Sequence, residues 1–144
     1  MNLHEFVHSA AVTCAPDASL VQVAGDMDRY NVGSVVVVDA DGGVVGIVTD
    51  RDVAVRGVAR GRDPDASIRD IMSTHVIVLR DDADLFDAAQ KMAESGCRRL
   101  PVTDADGALK GVVALDDLMI LFARQADHLA HAVAAETTNP LPRP

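Results

Sequence analysis

The chain repeats itself. Leu20 recurs as Leu85, and the same displacement of 65 positions (85 − 20) carries Asp17 onto Asp82, Ala24 onto Ala89 and Met27 onto Met92. It also carries Asp39-Ala40-Asp41-Gly42 onto Asp104-Ala105-Asp106-Gly107, Gly46 onto Gly111, and Asp52 onto Asp117, with no gap over about forty positions. Chance does not produce such a register, so a duplicated unit must fold the same way twice. A unit of about 60 residues buries only a marginal core, and two units gain by burying a face against each other.

Each copy serves as a control on the other. Val12 to Cys14 reads as a short strand, matched by Val76 to Leu79. Ser19 and Asp84 stand at equivalent positions, and both residue types cap helix N-termini well. The helices that follow place Leu20, Val23, Ala24 and Met27, then Leu85, Ala88, Ala89 and Met92, on one face at i, i+3, i+4, i+7. Asn31 then matches Gly96, the two residue types that most readily take the left-handed turn ending a helix. Ser34 to Val38 is a β-branched run with the pattern of a buried strand. Its counterpart, Arg99 to Thr103, contains Pro101, which predicts an edge position or limited pairing. Asp39–Gly43 and Asp104–Gly107 have hairpin chemistry. Val44–Val48 and Leu109–Val113 read as returning strands, each followed by a helix, from Asp50 to about Val58 and from Asp116 onward.

Residues 1–10 form a lead-in with one helical turn expected through Phe6. Gly61 to Ser67 reads as a linker, and Ser67 as the cap of a short helix from Ile68 to Met72. The last helix keeps one stripe of Leu118, Leu121, Phe122, Gln125, Leu129 and Val133 to about Ala135. Residues 137–144, rich in proline, read as a disordered tail.

Composition narrows the class. With 49% apolar residues, 3% aromatic and no Trp, the core must be built from Val, Ala, Leu, Ile and Met. No apolar run approaches the ~20 residues that span a bilayer. The N-terminus has no basic stretch leading into an apolar one, so no signal peptide is expected. Cys14 and Cys97 lie far apart with no CxxC spacing, which fits free thiols in a cytoplasmic protein. A net charge of −9 argues against nucleic-acid binding and against adhesion to anionic membranes.

One stretch carries chemistry, Gly46-Ile47-Val48-Thr49-Asp50-Arg51-Asp52. A strand that stops where a helix begins exposes backbone N–H groups, which favour an anion such as a phosphate. Thr49 adds a hydroxyl there, and Asp52 supplies an acceptor for a vicinal diol such as a ribose. The alternative is that Thr49 and Asp50 cap a helix and Asp52 faces solvent. His128 and His131 stand at i, i+3 with no third ligand in view, so no metal site is expected, and His4 with His8 is read the same way. No nucleophile–base pair and no Walker loop is present, so an enzyme is not expected.

Two copies of strand, helix, strand, turn, strand, helix, with Gly46-x-x-Thr49-x-x-Asp52 at the end of one copy, resemble a tandem pair of CBS domains, a Bateman module. Arg99-Leu100-Pro101-Val102 before Asp104-Ala105-Asp106-Gly107 resembles that family's central strand and hairpin. Thr49-Asp50-Arg51-Asp52 is similar to the form in short stand-alone bacterial members. The resemblance implies an α+β fold of two pseudo-twofold-related β-α-β-β-α repeats packed through their sheets. Their bounds would be 7–62 and 71–125, with a linker at 63–70 and a helical extension at 126–136. It implies a regulatory module that needs no cofactor and binds an adenine nucleotide (AMP, ADP or ATP) between its repeats, whether or not with Mg2+. Some members use other adenosine-derived ligands, and such pairs usually form homodimers. Carried over residue by residue, Thr49 contacts phosphate and Asp52 the ribose hydroxyls, while Val12, Thr13 and Cys14 flank the adenine. Asp117 matches the second ribose position, but Ala114 stands where a hydroxyl belongs, so at most one good site is expected. Arg99, Arg51 and Arg56 are the cations available for phosphate, and arginine suits that task. A constitutive interaction module, displaying the last helix to an unknown protein partner, is the competing implication.

Overall fold

The computed structural model describes residue 7 and residues 11–138. The helical turn expected through Phe6, the pair His4 and His8, and the tail beyond Thr138 lie outside the described residues. The first half runs β1 (Thr13–Cys14), α1 (Leu20–Tyr30), β2 (Ser34–Val38), β3 (Val44–Thr49) and α2 (Asp50–Asp52). The second runs β4 (Leu79–Arg80), α3 (Leu85–Ser95), β5 (Arg99–Thr103), β6 (Leu109–Ala114) and α4 (Leu115–Thr138). Each half is a three-stranded sheet with its middle strand parallel to the first and antiparallel to the third.

The ends of the helices follow from their residue types. Ser19 Oγ accepts from the Gln22 amide, and α1 stops at Asn31, which sits at φ +51°. Asp84 caps α3 reciprocally with Asp87, and Gly96 ends it at φ +68°. The two hairpins are held alike: Asp39 Oδ1 accepts from the Asp41 and Gly43 amides, and Asp104 Oδ1 from the Asp106 and Ala108 amides.

Pro101 does not sit on an edge. β5 is the middle strand, and the proline limits pairing instead. In the first half the Val36 amide donates to Val12 O at 3.0 Å, opening the β1 ladder. Pro101 is the counterpart of Val36 and has no N–H to donate. Pairing of β4 with β5 therefore begins one step later, at Leu79↔Val102, and Val76–Val78 stay outside the strand.

The sheets divide their faces by period two. Val35, Val37 and Val48 pack against α1 in the first core, and Leu100, Val102 and Val113 against α3 and α4 in the second. Val36 and Pro101 are buried but belong to neither helix-side core. By the alternation of the strands they lie on the face opposite the helices. The lead-in segments cross over. Ile68 and Ile71, which open the second copy by sequence, are buried in the first core, with Met72 packed against them. Val7, the counterpart of Met72, packs against the second core. Ser73 then pairs antiparallel with Ile47, covering the outer edge of β3. Gly46 is open to this crossing: a Cβ there would come within 2.6 Å of Met72 Sδ.

Two expectations need correction. The helix from Asp50 is helical throughout to Arg60, but it widens into a π-helix over Val53–Gly57 and tightens to a 3₁₀ turn over Val58–Arg60. The stripe on α4 also divides. Leu118 is buried and Leu121 packs against the second core, whereas Phe122, Leu129 and Val133 are exposed, and the helix runs to Thr138.

Candidate functional site

The junction of β3 and α2 is closed on itself. Thr49 is extended and caps α2: its Oγ1 accepts from the Asp52 amide at 3.2 Å, and Asp52 Oδ2 accepts from the Thr49 amide at 2.9 Å. The Asp50 amide donates to Gly33 O, and the Arg51 amide to the carboxylate of Asp50. All four amides from Thr49 to Asp52 thus have acceptors. The backbone donors that the sequence offered to a phosphate are already used, and the cap that stood as the alternative is present. What remains is side-chain chemistry. The Thr49 hydroxyl accepts but keeps its own proton to donate. Asp52 is mostly buried, and its Oδ1 lies 3.6 Å from Arg56 Nε.

These groups line a cleft of about 330 Å³ between the halves. Thr49, Arg51 and Asp52 come from the first half, and Arg98, Arg99 and Pro101 from the second. Ile47, Val76, Ile77 and Leu100 make its apolar walls, and Ser73, His75 and Cys97 complete the lining. Larger hollows exist among the described residues. One, of about 520 Å³, lies between the hairpins and is walled largely by turn backbone around Gly42 and Gly107. Another, of about 620 Å³, holds Thr13 and Cys14, and a third, of about 520 Å³, lies along α3 and is lined by Asp87, Lys91 and Glu94. We place the site in the smaller cleft, because it combines apolar walls with convergent polar groups.

Arg99 crosses to the first half. A Cβ on Gly33 would fall 2.5 Å from Arg99 Nη2 and 3.4 Å from Asp50 Oδ2, so the bare glycine makes room for the guanidinium. Among the described residues, Arg99 and Arg51 have no hydrogen-bonded or ionic side-chain partner, whereas Arg98 is paired with Asp116 at 3.1 Å. Arg99 thus faces the Thr49 hydroxyl and the Asp52 carboxylate across the cleft, with Arg51 beside them on the near side, both arginines without such a partner among the described residues.

The structure therefore brings together Thr49, Arg51, Asp52 and Arg99, and leaves Val12, Thr13, Cys14 and Asp117 out of this cleft. The flanking wall comes from His75–Ile77, in the second copy, rather than from the first copy's own Val12–Cys14. Sequence reasoning missed these residues because it kept each half's strand with its own motif. Ile77 is the counterpart of Val12, so the repeat held the signal but not the crossing. At the second junction the Ala114 amide donates to Asp117 Oδ2 at 3.2 Å, and no hydroxyl completes the box. Among the described residues, no group of three His, Cys, Asp or Glu side chains converges for a metal.

The two thiols differ. Burial, and secondarily the charge of Asp26, pushes the Cys14 thiol up to about 11, while Cys97 is exposed at the cleft. A thiol reagent at pH 8 should therefore modify one cysteine per chain quickly and the second only on unfolding. Two fast equivalents in a colorimetric thiol titration would contradict the buried placement of Cys14.

With the geometry in hand, three comparisons place the chain. It matches the CBS domain family twice, over residues 3–57 and 68–124. It is 39% identical over 108 residues to the CBS domain-containing protein YhcV of Bacillus subtilis, covering 75% of this chain and 76% of that one. It is 35% identical over 120 residues to an uncharacterized protein of Methanopyrus kandleri, covering 83% of this chain but only 61% of that protein's length. Among solved structures, the CBS domain pair of protein MJ0100 in complex with 5′-methylthioadenosine and S-adenosyl-L-methionine aligns with a TM-score of 0.79. It has 25% identity and covers 87% of this chain and 98% of that one. The CBS domain protein PAE2072 from Pyrobaculum aerophilum, complexed with AMP, aligns with a TM-score of 0.76 at 27% identity, covering 81% of this chain and 89% of that one. The chain belongs to the CBS domain family.

Proposed function

We propose that this CBS domain pair is a regulatory module that binds one adenine nucleotide, AMP, ADP or ATP, in the cleft between Thr49–Asp52 and Arg99. The observation that carries this is a fixed hydroxyl and carboxylate from one half, with Arg51 beside them and Arg99 facing them from the other half, around apolar walls of Ile47, Ile77 and Pro101. Asp52 would accept from the ribose hydroxyls, Thr49 would donate to phosphate, and Arg99 and Arg51 would neutralise it. The complexes of related pairs with AMP and with 5′-methylthioadenosine and S-adenosyl-L-methionine support this ligand class. A ligand touching both halves favours the arrangement in which they are closed, which is how occupancy becomes a signal. Val12, Thr13, Cys14 and Asp117 belong by symmetry to the second position, where Ala114 removes the hydroxyl and makes a weaker site or none. The exposed apolar side chains of α3 and α4, with Phe86 and Phe122 at 5.7 Å, would form a homodimer or partner surface. We place the protein in the cytoplasm.

Calorimetric titration of the whole chain with AMP, ADP, ATP and S-adenosylmethionine tests the proposal. One ligand per chain is expected. Two equal sites would overturn the assignment of a single site, and silence with all four would favour a constitutive interaction module. Gly33→Ala gives a sharper check. Its methyl group meets the end of a flexible side chain, so the fold survives, but Arg99 is pushed aside. Affinity should fall about ten-fold, the scale of one charge-assisted hydrogen bond. Unchanged affinity would remove Arg99 from the site.

A further inference from the structure

We infer that Arg56 couples the occupancy of the cleft to the crossing segment Ile71–Ser73, acting through Asp52 as a positioning residue. This rests on the assignment of Asp52 as the acceptor of the ligand's diol. Arg56 lies outside the lining of the cleft, yet its guanidinium makes contacts in two directions. Its Nε faces Asp52 Oδ1 at 3.6 Å. Its Nη1 donates to Ile71 O at 3.2 Å and reaches Ser73 Oγ at 3.3 Å. Asp52 is held from the other side by the Thr49 amide, so its two oxygens are fixed by different elements.

The segment that Arg56 grips is itself part of the site. Ser73 lines the cleft and exchanges two backbone hydrogen bonds with Ile47, at 3.0 and 3.1 Å, on the outer edge of β3. Ile71 is buried in the first core. A planar guanidinium with several fixed donors suits this three-way contact, and a lysine offers only one point charge. The π-helical winding over Val53–Gly57 contains Arg56 and sets where its side chain leaves the helix. The second half has no such strut: the counterpart of Arg56 is Leu121, which packs into the second core. The halves thus differ in an arginine as well as in the missing hydroxyl at Ala114. A ligand hydroxyl drawn to Asp52 Oδ1 changes the load on Arg56, and with it the hold on Ile71 and Ser73.

The test uses the full chain, with Arg56→Met and Arg56→Lys, and has two readouts. Backbone hydrogen exchange without ligand is measured first. Arg56→Met should speed exchange at the Ile47 and Ser73 amides about ten-fold while leaving those of β5 and β6 unchanged, with Arg56→Lys between. Unchanged exchange at Ile47 and Ser73 overturns the strut. Exchange faster everywhere overturns it too, as simple destabilisation. Titration with AMP and with 2′-deoxy-AMP follows. Wild type should prefer AMP, and Arg56→Met should lose about ten-fold for AMP and little for the deoxy analogue. Equal losses for both ligands would reduce Arg56 to a general structural role and overturn the coupling. If wild type binds neither, the coupling to ligand falls together with the nucleotide proposal. The exchange data still decide separately whether the strut holds the segment.

Discussion

Asp52→Ala yields a folded protein that binds AMP about ten-fold to a hundred-fold more weakly than the wild type. The substitution removes two things at once. One is the acceptor for a diol, a contact worth roughly 1.5–3 kcal/mol when the acceptor is charged, or about ten-fold to a hundred-fold in affinity. The other is half of the reciprocal cap with Thr49, whose loss costs about 1 kcal/mol of stability. In a chain of this size that lowers the unfolding midpoint by about 2–4 °C, which leaves the protein folded at 25 °C. Thr49→Ala separates the two, since it keeps the carboxylate and makes the first junction like the second, where Ala114 stands. Calorimetry beside thermal unfolding reads both. Wild-type affinity in Asp52→Ala would place the ligand elsewhere and sink the assignment of this cleft.

Ile71→Ala should be the most destabilising truncation of the crossing segment. Ile71 is 1% exposed and packs among the buried residues of the first core, although by sequence it opens the second copy. Removing three buried carbons and leaving a cavity costs about 2–5 kcal/mol. Ile68→Ala, at a fully buried position in the same core, should cost a similar amount. Urea denaturation of the whole chain measures this. A cost below about 1 kcal/mol would mean that the segment rests on the core without completing it. The prediction also bears on dissection. A fragment ending at the linker lacks Ile68 and Ile71 and should fail to fold, while the same fragment extended through Ser73 retains its own core.

Much of this was legible in the residues, for stated reasons. Asn31 and Gly96 differ in type but meet one backbone demand, and both sit at positive φ. Asp39 and Asp104 were read as turn residues, and each holds its hairpin with the same pair of bonds. Of the two outcomes Pro101 allows, an edge position or limited pairing, the structure shows the second. A missing N–H shortens a two-residue ladder without expelling a middle strand that is also paired on its other side. The π-helical winding after Asp52 could not be read, because it depends on how Arg56 and Gly57 meet the crossing segment and Leu20. Gly57 is buried against Leu20, a contact that helix periodicity does not encode. The walls of the cleft escaped for a similar reason. Displacement by 65 positions says which residues are equivalent, not which copy supplies them to a given site. At the junction itself, the amides that a strand end and helix start leave open are committed by the fold to Gly33, Asp50 and the Thr49–Asp52 cap, a combination that local sequence does not specify.

The crossing of the lead-in segments also orders events during synthesis. The first core cannot close when its own strands have left the ribosome, because Ile68 and Ile71 are still to come. Val7 waits longer. The core it packs against includes Val113 and Leu118, so it finds its place only after most of the second copy has been made. Until then the nascent chain carries the segment around Val7 without the second core that Val7 packs against. A pause or truncation anywhere between the two copies would expose that segment to chaperones and to neighbouring nascent chains.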